Sequence, residues 1–158
     1  EVVAIIPARN EAETIKTVVE SHMQTAYQGR FTLIVVDDQS DDGTGDIVKH
    51  QAQNARHPLH LVAGKALPAG WSGKLWAVHN ALEAAETIAP AATHILLSDA
   101  DIRHAPETLT KLVTKAVSDE CALVSVMAVL YARGFWGASS RAGFYFFLPE
   151  TLPMPSGQ

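Results

Sequence analysis

Two aspartates one residue apart, Asp99 and Asp101 in "LLSDADIRH", end a run of apolar side chains and raise the first chemical question. In an extended backbone such a pair points to one side, about 6.5 Å apart. A hard cation such as Mg2+ or Mn2+ is commonly held by one or two carboxylates together with substrate phosphates, so the pair suits a metal-diphosphate better than a closed protein cage. The competing reading is a helix start, with Asp101 or a neighbour as the cap. A second group, "VVDDQSDDGT", carries Asp37, Asp38, Asp41 and Asp42. Asp41, Asp42 and Thr44 read as a solvated turn and helix cap. Asp37 and Asp38 end a buried strand, where a carboxylate can accept hydrogen bonds from the imide N–H of uracil or from ribose hydroxyls. A third group, "GWSGKLWAVHNAL", sets Lys74 at the beginning of a helix after a glycine turn, and helix amides plus an ammonium attract an anion. The Walker pattern is not met, because Pro68 and Leu75 stand where it needs Gly and Ser or Thr. Trp71 and Trp76 read either as stacking platforms or as packing anchors. Asn80 bonds either a ligand or backbone.

These groups need a scaffold that brings them together. Buried β-branched runs at 2–7, 31–37, 59–63, 93–99 and 122–130 alternate with helical stretches. Ala12, Ile15, Val18, Val19 and His22 share one helical face. Ser40, Asp41 or Thr44 caps a second helix running to about Gln53; a third spans Lys74 to Glu86; Pro106 opens a fourth that ends near Ser118. Strands without polar alternation, each followed by a helix, predict an α/β fold with a mostly parallel sheet covered on both faces. Its carboxyl edge, where open α/β sheets bind ligands, would collect Arg9, Asn10 and Glu11, then Asp37 and Asp38, the Lys74 loop, and Asp99 and Asp101.

The chain of 158 residues is long enough for one domain with a real core. Twelve basic against seventeen acidic residues, net −5, speak against a nucleic-acid partner. Cys121 allows no intrachain disulfide and reads as a small buried hydrophobe. No apolar run reaches the roughly 20 residues that span a bilayer. "HQAQNARHPLH" (50–60) has superficial metal spacing but straddles a helix end, a turn and a strand, so surface histidines are the better reading. His104 is carried as an additional candidate for the metal.

"IIPARNEAETI", "IVVDDQSDDGT", "GKLWAVHNAL" and "LLSDADI", in this order over residues 2 to about 130, resemble the family 2 glycosyltransferases. The segment "GWSGKLWA" is most similar to their hopanoid-biosynthesis-associated branch. The resemblance implies a GT-A fold, which is Rossmann-like, and a cytoplasmic setting with the parent protein at the cytoplasmic membrane face among the options. It implies inverting transfer from a nucleoside-diphosphate sugar, most often UDP-linked, with Mg2+ or Mn2+ as cofactor and a lipid or polyprenoid among the acceptors. Pro7, Ala8, Arg9, Asn10, Glu11 and Asp38 would line the nucleoside pocket and Asp37 would support it. Lys74 would approach uracil or the diphosphate, Asp99 would face the ribose, and Asp101 would be the principal metal ligand with Asp99 beside it. Gln39 departs from the Gly of many relatives.

The acidic "ED"-type motif that carries the family's general base is not found: after Glu120 the only acidic residue is Glu150. The expectation is therefore a donor-binding unit, residues 1–130, followed by the incomplete or poorly ordered start of an acceptor-side region, 131–158. The same reading expects an N-terminal part of a longer enzyme, inactive alone. The aromatic stretch after 131 reads as membrane-facing or as deprived of its packing partners. A nucleotide-binding or scaffold module without turnover is the alternative. Haloacid-dehalogenase phosphatases are disfavoured by Arg103, response-regulator receivers by the lack of a Lys after the fifth strand, and dinucleotide-binding domains by the absence of GxGxxG.

Overall fold

The structure, a computed structural model, describes residues 1–127 and 144–149. Its elements are β1 (Val2–Ala8), α1 (Ile15–Met23), β2 (Phe31–Asp37), α2 (Thr44–Ala52), β3 (Leu59–Ala63), α3 (Gly73–Ile88), β4 (His94–Leu97), α4 (Thr108–Ser118), β5 (Val124–Met127) and β6 (Phe144–Pro149). The sheet order is β3-β2-β1-β4-β6-β5. β1 pairs in parallel with β2 and β4, and β2 with β3. β6 is antiparallel to both β4 and β5.

The strict alternation of the first two strands explains why both faces are covered. Val2, Ala4 and Ile6 of β1 and Leu33 and Val35 of β2 point to one face, against Ile15, Val18 and Val19 of α1, Val48 of α2 and Leu109, Leu112 and Ala116 of α4. Val3, Ile5, Ile34 and Val36 point to the other, against Ala77, Ala81 and Ala85 of α3. Alanine at every fourth position gives α3 a flat stripe that packs close to the sheet. β-branched residues on both faces of β1 and β2 suit central strands, where neither side meets water.

Three expectations need correction. Pro106 does not open α4: it lies in the preceding turn, where its carbonyl accepts the Ala26 N–H at 2.8 Å, and Glu107 is the N-cap. The residue before α2 is Gly43, at φ 91°, in place of Ser40, Asp41 or Thr44. That left-handed conformation carries little cost for glycine. Cys121 is half-buried at the edge of the core, just beyond α4. Within the aromatic stretch after 131, residues 144–149 form a strand beside β4, an element the sequence reading does not predict there. The remainder of 131–158, with Glu150, lies outside the described residues, as does 128–130 of the fifth predicted strand. No helix among the described residues is long and apolar enough to cross a membrane.

Candidate functional site

The carboxyl ends of β1, β2 and β4 and the first turn of α3 enclose a crevice of about 450 Å³. Pro7, Ala8, Arg9 and Glu11 form one wall, Asp38 the floor, and Gly73 and Lys74 a second wall facing Asp99 and Asp101. Parallel pairing produces the convergence: Ala8 is in register with Asp37, so the loops after β1 and β2 leave the sheet together.

Two expected residues do not line the crevice. Asn10 turns the chain at φ 55° and bonds sideways, its Oδ1 accepting the Asp41 N–H at 3.0 Å. Asp37 faces away and accepts the Ser40 N–H at 3.0 Å, closing the turn after β2. Both shape the loops that carry their neighbours. Gln39, also at positive φ (60°), is exposed.

The β1 and β2 loops are tied together side chain to backbone. Besides the Asp41–Asn10 bond, the N–H groups of Asn10, Glu11 and Ala12 donate to Ser40 Oγ (3.0 Å), Thr44 Oγ1 (2.9 Å) and Asp42 Oδ2 (2.9 Å). Asp42 also accepts from the Thr44 hydroxyl at 2.6 Å and the Thr44 N–H at 3.0 Å. The Thr44 hydroxyl bond, then the Ala12 N–H, hold its carboxyl below the usual aspartate range. The sequence reading gave Asp42 a turn-and-cap role. Its reach across to Ala12 depends on loops 30 residues apart in the chain, which periodicity does not relate.

Asp38 is nearly buried and sits where the backbone comes closest. A Cβ on Gly64 would lie 3.2 Å from Asp38 Oδ1, and one on Gly73 would lie 3.2 Å from Asp38 Oδ2. Glycine at both positions lets the end of β3 and the start of α3 flank this carboxylate closely, where a Cβ would press on it. Arg9 Nη1 is 3.8 Å from Asp38 Oδ2.

On the opposite side, Lys74 Nζ donates to Asp99 Oδ1 at 2.6 Å, bridging α3 and the end of β4. Lys74 is largely exposed, so the pair is worth at most about 1 kcal/mol and is readily exchanged. The Asp99–Asp101 segment is not extended strand. β4 stops at Leu97, and Ala100 and Asp101 form a turn with Ile102 N–H to Asp99 O at 3.3 Å. Both carboxylates nevertheless line the crevice, and the Asp101 side chain has no ion pair or hydrogen bond among the described residues. No cluster of three or more His, Cys, Asp or Glu that could hold a metal occurs among them. Two oxygen-bearing side chains in an open crevice fit a hard cation whose remaining positions are filled by phosphate and water.

His104 does not join this pair. Its ring packs on His22 at 4.3 Å, its Nε2 lies 3.1 Å from Ser98 Oγ, and burial pushes its pKa down to about 4. In the 50–60 segment His57 packs its ring against Phe31, while His50 is exposed. Trp71, Trp76 and His79 form an aromatic cluster outside the crevice, with Trp76 Nε1 donating to Lys65 O at 3.1 Å. Asn80 Nδ2 bonds Trp76 O at 2.9 Å, as its backbone reading allows. Sequence reasoning missed Gly73, Ala77, Ala100 and Ile102 as crevice residues. The small side chains at 73 and 77, one helical turn apart, were the available signal.

The model of the family "Glycosyl transferase family 2" matches residues 3–156. No curated protein sequence matches the chain significantly. Among solved structures, the mannosyltransferase PcManGT from Pyrobaculum calidifontis in complex with GDP-Man and Mn2+ is similar at 26% identity and TM-score 0.64, over 82% of this chain and 35% of that one. S. aureus TarS 1-349 in complex with UDP-GlcNAc is similar at 22% identity and TM-score 0.61, over 85% and 36%. Glucosyl-3-phosphoglycerate synthase from Mycobacterium tuberculosis, in complex with Mn2+, UDP and glucosyl-3-phosphoglycerate, is similar at 22% identity and TM-score 0.54, over 74% and 39%. The fold is thus GT-A, and the chain spans little more than a third of the length of each of these proteins.

Proposed function

The chain belongs to glycosyl transferase family 2, and on that premise we propose that it forms the donor side of an enzyme that transfers a sugar, with inversion, from a UDP-linked donor to an acceptor hydroxyl. The observation that carries this reading is the convergence of Asp38, Lys74, Asp99 and Asp101, from three separate βα connections, on one crevice. The structural neighbours that hold UDP-GlcNAc, GDP-Man with Mn2+, and UDP with Mn2+ add support for a nucleotide-sugar and a divalent cation.

In this reading Asp38 receives the uracil imide N–H, with Arg9 and Glu11 on the wall beside it. Asp99 meets ribose hydroxyls. Lys74 exchanges Asp99 for the diphosphate, aided by the amide groups at the start of α3. Asp101, supported by Asp99, would hold the cation, which when bound offsets charge on the diphosphate. The acceptor oxygen attacks the anomeric carbon from the far side, the bond from that carbon to the diphosphate oxygen breaks with its electron pair, and Lys74 stabilises the charge that develops. The acceptor proton needs a base. Among the described residues none is assigned that role. The "GWSGKLWA" segment supports the hopanoid-associated branch and a lipid or polyprenoid acceptor.

Calorimetry with UDP, GDP and NAD, each with and without Mn2+, tests this directly. Metal-dependent UDP binding is expected; tight NAD binding indifferent to metal would end the proposal.

A further inference from the structure

The two aspartates of the Asp99–Asp101 turn need something behind them, because β4 ends before they begin. The start of the segment is fixed by Ser98 N–H donating to Ile5 O at 3.0 Å. Its end is fixed by His104, whose N–H donates to Ser21 Oγ of α1 at 3.1 Å. The His104 ring then reaches back to the start, with Nε2 3.1 Å from Ser98 Oγ. His104 therefore ties the loop that carries both carboxylates at two points, its imidazole closing the loop on Ser98 and its backbone N–H anchoring it to α1. The ring is held from below by His22, whose own ring lies 4.3 Å away, nearly fully buried and stacked over Phe31. Ser21 and Ser98 are both buried, so these polar contacts are shielded from water and sensitive to the loss of a partner.

Resting on the donor-site reading above, we infer that His104 is a positioning residue: through the contact of its ring with Ser98 it sets the geometry of Asp99 and Asp101 toward a divalent cation without touching it. Partners that orient metal-ligating side chains typically contribute about 10–100-fold to metal affinity when removed. A purely structural role makes a different prediction, because general loosening of the fold would weaken nucleotide binding with and without metal alike.

The test compares UDP affinity in Mn2+ with UDP affinity in metal-free buffer, on the full chain, for wild type, His104→Ala, His104→Gln and Ser98→Ala. The enhancement by Mn2+ is expected to fall about tenfold in His104→Ala, with metal-free affinity unchanged. His104→Gln, which keeps a hydrogen-bonding side chain, returns most of the loss, and Ser98→Ala reproduces it by removing a single oxygen. If His104→Ala does not fold, Ser98→Ala and His104→Gln carry the comparison. A full Mn2+ enhancement in wild type that persists in Ser98→Ala and in any folded His104 variant overturns the positioning role and leaves the donor site standing. Equal losses in both buffers overturn it too. No Mn2+ enhancement in wild type overturns the metal reading and this inference together.

Discussion

The two walls of the crevice are built on opposite plans. On the β1–β2 side, Asn10, Ser40, Asp41, Asp42 and Thr44 tie backbone to side chain across two loops, so the N–H groups at residues 10–12 have partners before any ligand arrives. On the α3–β4 side, one exposed ion pair joins Lys74 to Asp99, and the Asp101 carboxylate has no partner among the described residues. The first wall is suited to recognise a shape. The second holds charges in a provisional pairing that a diphosphate and a cation can replace. Pre-formed hydrogen bonds lower the ordering cost of binding, whereas an exchangeable pair leaves charge free for the ligand.

Substitutions can separate the two plans. The largest effect is expected from Asp38→Ala, which removes the nearly buried carboxylate between Gly64 and Gly73: uridine and UDP should both lose measurable binding in calorimetry. Lys74→Ala should weaken UDP about tenfold, the low end for a hydrogen bond to a charged group, and leave uridine unchanged. If uridine weakened equally, the division between the walls would be wrong. Asp42→Ala should reduce both ligands modestly and lower the melting temperature, because the loop tie is lost while every crevice side chain remains. Its pH dependence has a definite sign. The folded pKa lies below the usual aspartate value of about 3.9. Its stabilising contribution is therefore complete at neutral pH and is lost as pH falls through the folded pKa. Melting curves of wild type and Asp42→Ala should converge in acid.

The smallest effect concerns the histidines beneath the second wall. His104 and His22 are both held below the ordinary histidine value of about 6.5 by burial. The unfolded chain then takes up protons first, so stability should fall between about pH 6.5 and pH 4, and His104→Gln should flatten part of that slope. A melting temperature in His104→Gln that follows the same slope would assign the acid sensitivity elsewhere.

Much of this architecture was readable in the letters because burial and period agree. β1, β2 and β3 fall where the apolar runs lie, and α1 buries the expected Ile15, Val18, Val19 and His22. The convergence of four segments on one edge followed from parallel topology alone. What escaped were relations between residues far apart in sequence. Asp42 reaching Ala12, His104 closing back on Ser98 under α1, and β6 entering the sheet beside β4 all depend on tertiary placement. The Asp99–Asp101 segment is a turn and not extended strand, because the strand ends at Leu97 although the residues beyond it continue its pattern.

The most direct measurement is a crystal structure of the chain with UDP and Mn2+, with anomalous scattering at the manganese edge used to locate the ion. The expected result is the uracil ring against Asp38, the diphosphate beside Lys74 freed from Asp99, and the manganese within coordination distance of Asp101. UDP bound outside the crevice, or a manganese ion away from Asp101 while UDP occupies it, would contradict the assignment of this crevice as a metal-assisted sugar-nucleotide site.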